Sequence, residues 1–295
     1  MKKFAWLFVL AASVLWGAMG IVTRYVAGIG FPTRQTAAVR ICSAAACLVL
    51  FLLLTDRGKL KIEKKDVKWF LGTGLGSLLI NNLCYAEVVQ RASLSVAVVL
   101  LYTAPFFVMI LSLLFFHEKL TLQKVCALFL SFSGCALVVG ISEGNAGEEP
   151  VMTLIIGLVT GLAYGLYSIF GKVLVGKYHS LTVTAYTFII AAAATFIISE
   201  PLSMFRLIGE NMEKMPLVVI GSVVTLALPY ILYSVGLQYM ESSRASIIAS
   251  FEVVAASMFG VVLYRETIGF FNAVGIVLVV SALILLQVKR GDGNS

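Results

Sequence analysis

Charge is what this sequence has least of. Only 13% of its 295 residues are Asp, Glu, Lys or Arg, about half the ~25% usual in soluble domains. A water-facing surface cannot be covered with so few. Histidine is scarcer still: there are two, His117 and His179, both placed at the ends of apolar runs. With no HExxH or GxSxG motif, no convergent set of acid, base and nucleophile is expected, which argues against an enzyme. The five cysteines (Cys42, Cys47, Cys84, Cys126 and Cys135) lie inside apolar runs without CxxC spacing. They read as small packing residues, so neither a metal site nor a disulfide is expected. No GxxxxGK[ST] loop is present, and no cofactor is expected. Gly72, Gly74 and Gly76 spell GxGxG, but no strand precedes them, and close helix packing explains them better. The same holds for the GxxxG spacing of Gly157, Gly161 and Gly165.

What the chain has is apolar length. Hydrophobic residues make up 60% of it, and its mean hydropathy is +0.99. A helix needs roughly 20 residues to cross a ~30 Å hydrocarbon layer. Ala5–Ile21, Leu94–Phe116, Val151–Phe170 and Ile268–Leu286 all supply such runs. They are apolar on every face, which favours helices over alternating barrel strands. The expected class is an all-α polytopic membrane protein with ten transmembrane helices. Their expected spans are residues 4–26, 33–55, 67–89, 94–116, 122–141, 152–174, 180–200, 216–238, 243–264 and 268–288. The Lys2-Lys3 start before an apolar run resembles a signal peptide. It reads instead as a retained first helix, because it has a counterpart later in the chain.

Positive charge orients the spans. Lys59, Lys61, Lys64, Lys65 and Lys68 share one loop, and most other Lys and Arg fall on the same side. The exceptions are Arg24, Arg34, Arg40, Arg91, Arg206, Lys214 and Arg265. The positive-inside rule then places both termini in the cytoplasm of a multi-pass cell-membrane protein. The basic loop suits anionic headgroups, so the expected partners are the lipid bilayer and a small solute, with no nucleic acid. A monomer or weak homodimer is expected.

The chain also repeats itself. A shift of 148 residues aligns Trp16-Gly17 with Tyr164-Gly165, Arg24 with Lys172, Tyr85 with Tyr233, Gln90 with Gln238 and Glu118 with Glu266. Residues 1–141 and 152–288 are therefore expected as two five-helix repeats. An external acidic linker (142–151) joins them, and a cytoplasmic tail (289–295) follows. Five passes is an odd number, so the second repeat is inverted. Inverted repeats place a solute site near the midplane between the halves and suit alternating access.

Glu252 falls near mid-bilayer, where a carboxyl costs about 2.5–3.5 kcal/mol on insertion scales and faces a cavity or partner. It is the candidate for proton coupling or for binding an amino group; the alternative is a protonated structural residue. Arg40 is the second coupling candidate. It either receives a substrate carboxylate, neutralises Glu87, or snorkels to the interface. Trp16 and Tyr164 occupy equivalent mid-helix positions, away from the interfaces that aromatics prefer. With Tyr85, Tyr102, Tyr167, Tyr230 and Tyr233 they suggest an apolar pocket with hydroxyl handles; singly, each is explained by packing. Asn81 and Asn82 place adjacent amides in the third helix, at least one of which must face protein or water. Pro105 and Pro229 should bend the fourth and eighth helices. Glu118 and Glu266 are expected to cap the following helix or to pair with Lys119 and Arg265.

These residues resemble the EamA-type branch of the drug/metabolite transporter superfamily. Carrying the resemblance are Trp16-Gly17, Pro32 with Arg40, Ala97 through Pro105, Glu118-Lys119-Leu120 and Val139-Gly140. Ala245, Glu252-Val253 and Arg265-Glu266-Thr267 continue it in the second half. It spans nearly the whole chain. It implies a ten-helix exporter or exchanger of amino acids, metabolites or drugs, with its substrate cavity between the halves. Val253 departs from the pattern, which commonly has a proline matching Pro105. A channel-like facilitator or a membrane scaffold is the alternative; no filter loop or charge ring favours a channel.

Overall fold

A computed structural model of the chain describes residues 4–92, 94–140, 149–265 and 267–287. All regular structure among them is helical. The chain runs through α1 (Ala5–Gly28), α2 (Thr33–Thr55), α3 (residues 67–91), α4 (Leu94–Phe116) and α5 (Leu122–Val139). It continues through α6 (Pro150–Val175), α7 (Ser180–Ile198), α8 (Met212–Tyr239), α9 (Ser242–Tyr264) and α10 (Phe270–Gln287). Nine of these are long and apolar enough to cross a bilayer. The tenth path, α3, is diluted by Gly72, Gly74, Gly76, Asn81 and Asn82. Leu54, Leu114 and Val262 are among many large apolar side chains left exposed on the outside, as a lipid-facing surface requires.

The repeat is visible in the elements themselves. Leu94–Leu101 and Ala104–Phe116 in α4 have the same bounds, 148 residues on, as Ser242–Ala249 and Glu252–Tyr264 in α9. The helices α5 and α10 match in the same way. Even strain is duplicated. His117 and Arg265, which follow α4 and α9, both take left-handed backbone, with φ of 52° and 57°. That region is costly for any residue with a Cβ, so surrounding structure must impose it twice.

Two irregularities shape the interior. In α3 the turns widen to π geometry over Gly72–Leu79, and in α8 over Val223–Ala227. Pro229 explains the second: it cannot donate to Thr225, and its ring crowds that carbonyl, so a wider turn relieves the clash. The helices α4 and α9 each break in mid-course, at 102–103 and 250–251. Pro105 accounts for the first. The second has Val253 in the place of that proline, so packing rather than local chemistry imposes it. A close backbone contact between the repeats joins α5 to α10. A Cβ added to Gly134 would lie 2.7 Å from the Gly275 carbonyl, and one on Gly275 2.6 Å from that of Gly134. Backbone therefore meets backbone, the small-residue packing typical of membrane helices.

Both long connections within the described residues are structured. The stretch 201–215, which falls between the expected spans, contains an amphipathic helix, Pro201–Glu210. Its Met204 is buried with Val26, Phe31 and Val218, while Leu202 and Phe205 remain exposed. The basic loop forms two 3₁₀ turns, Arg57–Leu60 and Lys64–Asp66. It is tied down by Thr182 Oγ1 donating to the Lys59 carbonyl (2.8 Å) and Tyr186 OH to that of Leu60 (2.7 Å). Asp66, covered by its immediate neighbours at the protein's edge, accepts from Lys177 Nζ and Tyr178 OH, each at 2.8 Å. The Lys177 hydrogen bond holds its carboxyl below the usual carboxylate range. Most of the expected linker 142–151, the tail 289–295 and Glu266 lie outside the described residues.

Candidate functional site

Four helices, α1, α6, α8 and α9, carry side chains that form three successive levels. At the end bearing the basic loop lies a vestibule of about 780 Å³, lined by Trp6, Phe116, Lys172, Glu241, Arg244 and Ile248 among others. One to three turns further along come Trp16, Tyr164, Tyr167, Tyr230 and Tyr233, with Ser246 and Ala249. Between them is a cavity of about 20 Å³, room for about one water. Beyond this, Glu252 meets Tyr164.

The expected aromatic residues on these four helices do converge, but as a plug. Trp16 lies edge-on to Tyr230 with centroids 5.2 Å apart, and 5.4 Å from Tyr233. Tyr167 packs edge-on to Tyr230 at 4.8 Å. Phe188 closes on the same ring from α7 at 5.3 Å. Hydroxyls fix the rings in place: Tyr167 OH shares a 2.8 Å hydrogen bond with Ser234, and Tyr233 OH one of 2.7 Å with Ser168. Edge-to-face pairs add about 0.5–1.5 kcal/mol each beyond their burial. The plug is thus both apolar and oriented. Ser168 and Ser234 escaped the sequence reading, although each stands four residues after a candidate tyrosine (Tyr164 and Tyr230) and so shares its helix face.

Glu252 is the first residue after the break in α9. The positive end of the helix dipole at this start favours a carboxylate, and Tyr164 OH donates to its Oε2 at 3.2 Å. Tyr85 and Tyr102 lie within electrostatic reach of it. Tyr102 itself is buried with Cys135, Val253 and Val254. Pro105 is buried at the start of the second half of α4. Asn81 Nδ2 donates to the Thr160 carbonyl at 3.3 Å and Asn82 Nδ2 to that of Leu78 at 2.6 Å. These two amides therefore serve backbone in this conformation, and neither lines the aromatic cavity. Among the described residues no cluster of His, Cys, Asp and Glu is placed to hold a metal ion.

Arg40 is 5% exposed, so it does not reach the interface. It does not meet Glu87 either. Arg91 takes that carboxylate at 2.7 Å, while Arg40 donates to Thr23 (2.6 Å) and to Thr225 of the α8 π turn (3.1 Å).

Glu118 also departs from expectation. It caps α9 in the other repeat, not the helix that follows it. The carboxylate accepts from the backbone N–H of Ser242 (2.7 Å) and Ser243 (3.2 Å), and from the Ser243 hydroxyl. Its cationic partner is Lys124, not Lys119. Lys124 is 2% exposed, and its Nζ lies 3.8 Å from Glu118, 3.1 Å from Glu241 and 2.9 Å from the Lys119 carbonyl. Nearby, Lys172 Nζ donates to the carbonyls of Leu237 (2.5 Å) and Met240 (2.6 Å) at the end of α8. At the opposite end Arg24, the repeat mate of Lys172, lies 4.5 Å over the ring of Tyr264, the repeat mate of Phe116.

Comparison with known proteins agrees with this architecture. The sequence profile of the EamA-like transporter family matches twice, over residues 3–140 and 151–288. Two proteins of Archaeoglobus fulgidus, each named an uncharacterized transporter, are similar over most of their length. One is 26% identical, covering 90% of this chain and 91% of its own; the other is 25% identical, covering 98% and 100%. The uncharacterized transporter YxxF of Bacillus subtilis is 23% identical, covering 99% and 93%. One solved crystal structure superposes with a TM-score of 0.81 over 97% of both chains at 15% identity, a likeness of fold. With the profile matched in each repeat, the chain belongs to the EamA-like transporter family.

Proposed function

We propose that this protein is a secondary transporter that exports or exchanges a small amphipathic organic solute by alternating access. The basic end faces the cytoplasm in this reading, and the two repeats rock about the aromatic plug. The observation that carries it is the three-level arrangement: a solute-sized vestibule, a water-sized constriction at the repeat interface, and a carboxylate beyond. Pseudosymmetry supports the motion. Arg24 rests on Tyr264 at the far end, whereas its mate Lys172 holds the α8 carbonyls and leaves Phe116 lining the vestibule. Exchanging these two arrangements closes the vestibule and opens the other side. In this scheme the rings of the plug receive the apolar part of the solute, and Glu252 takes either a proton or the solute's amino group.

The test is counterflow in proteoliposomes with amino acids, nucleosides and cationic drugs, with and without a proton gradient. Saturable, counterflow-competent movement is expected. Glu252→Gln should abolish coupling to the gradient while the protein remains folded. Unsaturable flux would instead favour a channel-like facilitator, and no flux of any solute a scaffold.

A further inference from the structure

Among the described residues, no anionic group answers the charge of Arg40. It is buried between the repeats, and its hydrogen-bond partners among those residues are the hydroxyls of Thr23 and Thr225. Its Nε–H is buried without any acceptor. No carboxylate pairs with it among the described residues. A guanidinium has five N–H donors, and two are used here. The idle Nε–H and the adjacent Nη–H form the side-on fork that matches the two oxygens of a carboxylate.

Duplication supplies an internal control. The repeat mate of Arg40 is Phe188, which packs edge-on against Tyr230. The fold therefore accepts an apolar ring at this position, and the packing of α2 does not in itself demand a cation. Placement is also informative. Thr23 stands seven residues beyond Trp16 on α1, two turns along and on the same face, at a rise of about 10 Å. Arg40 thus sits on the side of the plug away from the vestibule. Its second partner, Thr225, belongs to the π turn of α8, where the helix can yield.

We propose that Arg40 is the anion subsite of the transport pathway. It receives a carboxylate of the solute when α8 parts from α2, and Thr23 and Thr225 hold it between cycles. The solute then carries an acidic group beside its apolar portion. This rests on the transporter reading above, from which it is separable by experiment.

The purified full-length protein in detergent is melted in the presence of phenylacetate, phenylacetamide or phenethylamine, probes that differ only in their polar end. Phenylacetate should raise the melting temperature of the wild type and the amide should not; any effect of the amine, through Glu252, should be the same in Arg40→Gln. Losing hydrogen bonds between two charged groups should let Arg40→Gln shift the phenylacetate midpoint upward by about tenfold or more. Arg40→Lys, which keeps the charge but loses the fork, should retain part of the effect. Thr225→Val removes a competitor for the guanidinium and should lower the midpoint, which keeps the test decisive if Arg40→Gln fails to fold. Equal stabilisation by acid and amide, no response of the wild type to phenylacetate, or an unchanged midpoint in the folded Arg40 variants would overturn the subsite. Binding through Arg40 without counterflow of any solute would instead sink the transporter reading and leave the subsite standing.

Discussion

Replacing Glu118 by Ala removes a carboxylate that joins the two repeats at the basic end. The cost can be worked from its partners. The N-terminus of α9 loses both oxygens that cap Ser242 and Ser243, and loss of a cap typically costs about 1 kcal/mol. Lys124 loses one anionic neighbour while remaining 2% exposed. Breaking a buried ion pair outright costs about 3–5 kcal/mol. Here Glu241 and the Lys119 carbonyl stay within 3.1 Å, and the 3.8 Å separation from Glu118 is long, so about 1–2 kcal/mol applies. The sum is about 2–3 kcal/mol, read as a shift in reversible unfolding by SDS in mixed micelles. Glu118→Gln, which keeps one acceptor, should lose less. Adding Lys124→Met to Glu118→Ala should recover part of the loss, because the buried ammonium, left with one anion fewer, goes with it. A loss below 1 kcal/mol for Glu118→Ala, or no recovery in the double variant, would refute the idea that this node fastens the repeats.

Three further outcomes are expected. Gly161→Ala would place a Cβ 2.2 Å from Thr103 Oγ1 and 2.8 Å from the Leu100 carbonyl; overpacking of this kind costs about 1–3 kcal/mol, measurable in the same SDS titration. Asp66→Asn should loosen the basic loop, seen as faster hydrogen exchange over residues 57–66. Because the Asp66 carboxyl is held low by Lys177, its contribution is present above the ordinary carboxylate value of about 3.9 and is lost as pH falls through the lower folded value. Exchange in this loop should therefore be flat from pH 5 to 7 once intrinsic rates are divided out. In intact cells, a membrane-impermeant thiol reagent should label Asn211→Cys and spare Lys61→Cys in a background lacking the native cysteines; labelling of both from one side would contradict the inverted arrangement.

Much of this was legible in one dimension. Apolar length gave the spans, and the shared register of Tyr85 with Tyr233 and Trp16 with Tyr164 announced the duplication. Trp16 and the four candidate tyrosines of the second repeat come together at the repeat interface, whereas Tyr85 and Tyr102 of the first do not line that cavity, because sequence register fixes depth but not the face each ring presents. Partners across that interface were harder to foresee. Glu118 looked like a local cap because its nearest sequence neighbours include Lys119 and the start of α5. Only tertiary contact brings Ser242 to it. Arg40 and Glu87 both fall in the outer halves of their expected spans, yet depth says nothing of azimuth around the bundle, and Arg91 was one turn from Glu87 on the same helix. The break at 250–251 left no proline to mark it, and the π turn at Gly72–Leu79 reflects contacts of α3 with α6 and α7 that composition does not encode.

The widened turns of α3 and α8 have a mechanical consequence. A stretch of π geometry holds one residue more than the regular ladder would need, and that spare residue can be handed along the helix a position at a time. Each step exchanges a few hydrogen bonds for equivalent ones and re-aims the residues that the bulge passes by about a quarter circle, while the helix on either side keeps its orientation. Tyr85 in one half and Tyr230 and Tyr233 in the other, each within two turns of a widened stretch, are thus placed to be re-aimed while the ends of their helices stay anchored in lipid. Ancestral duplication would then have endowed each half with its own swivel, set at the same depth and pointing the opposite way.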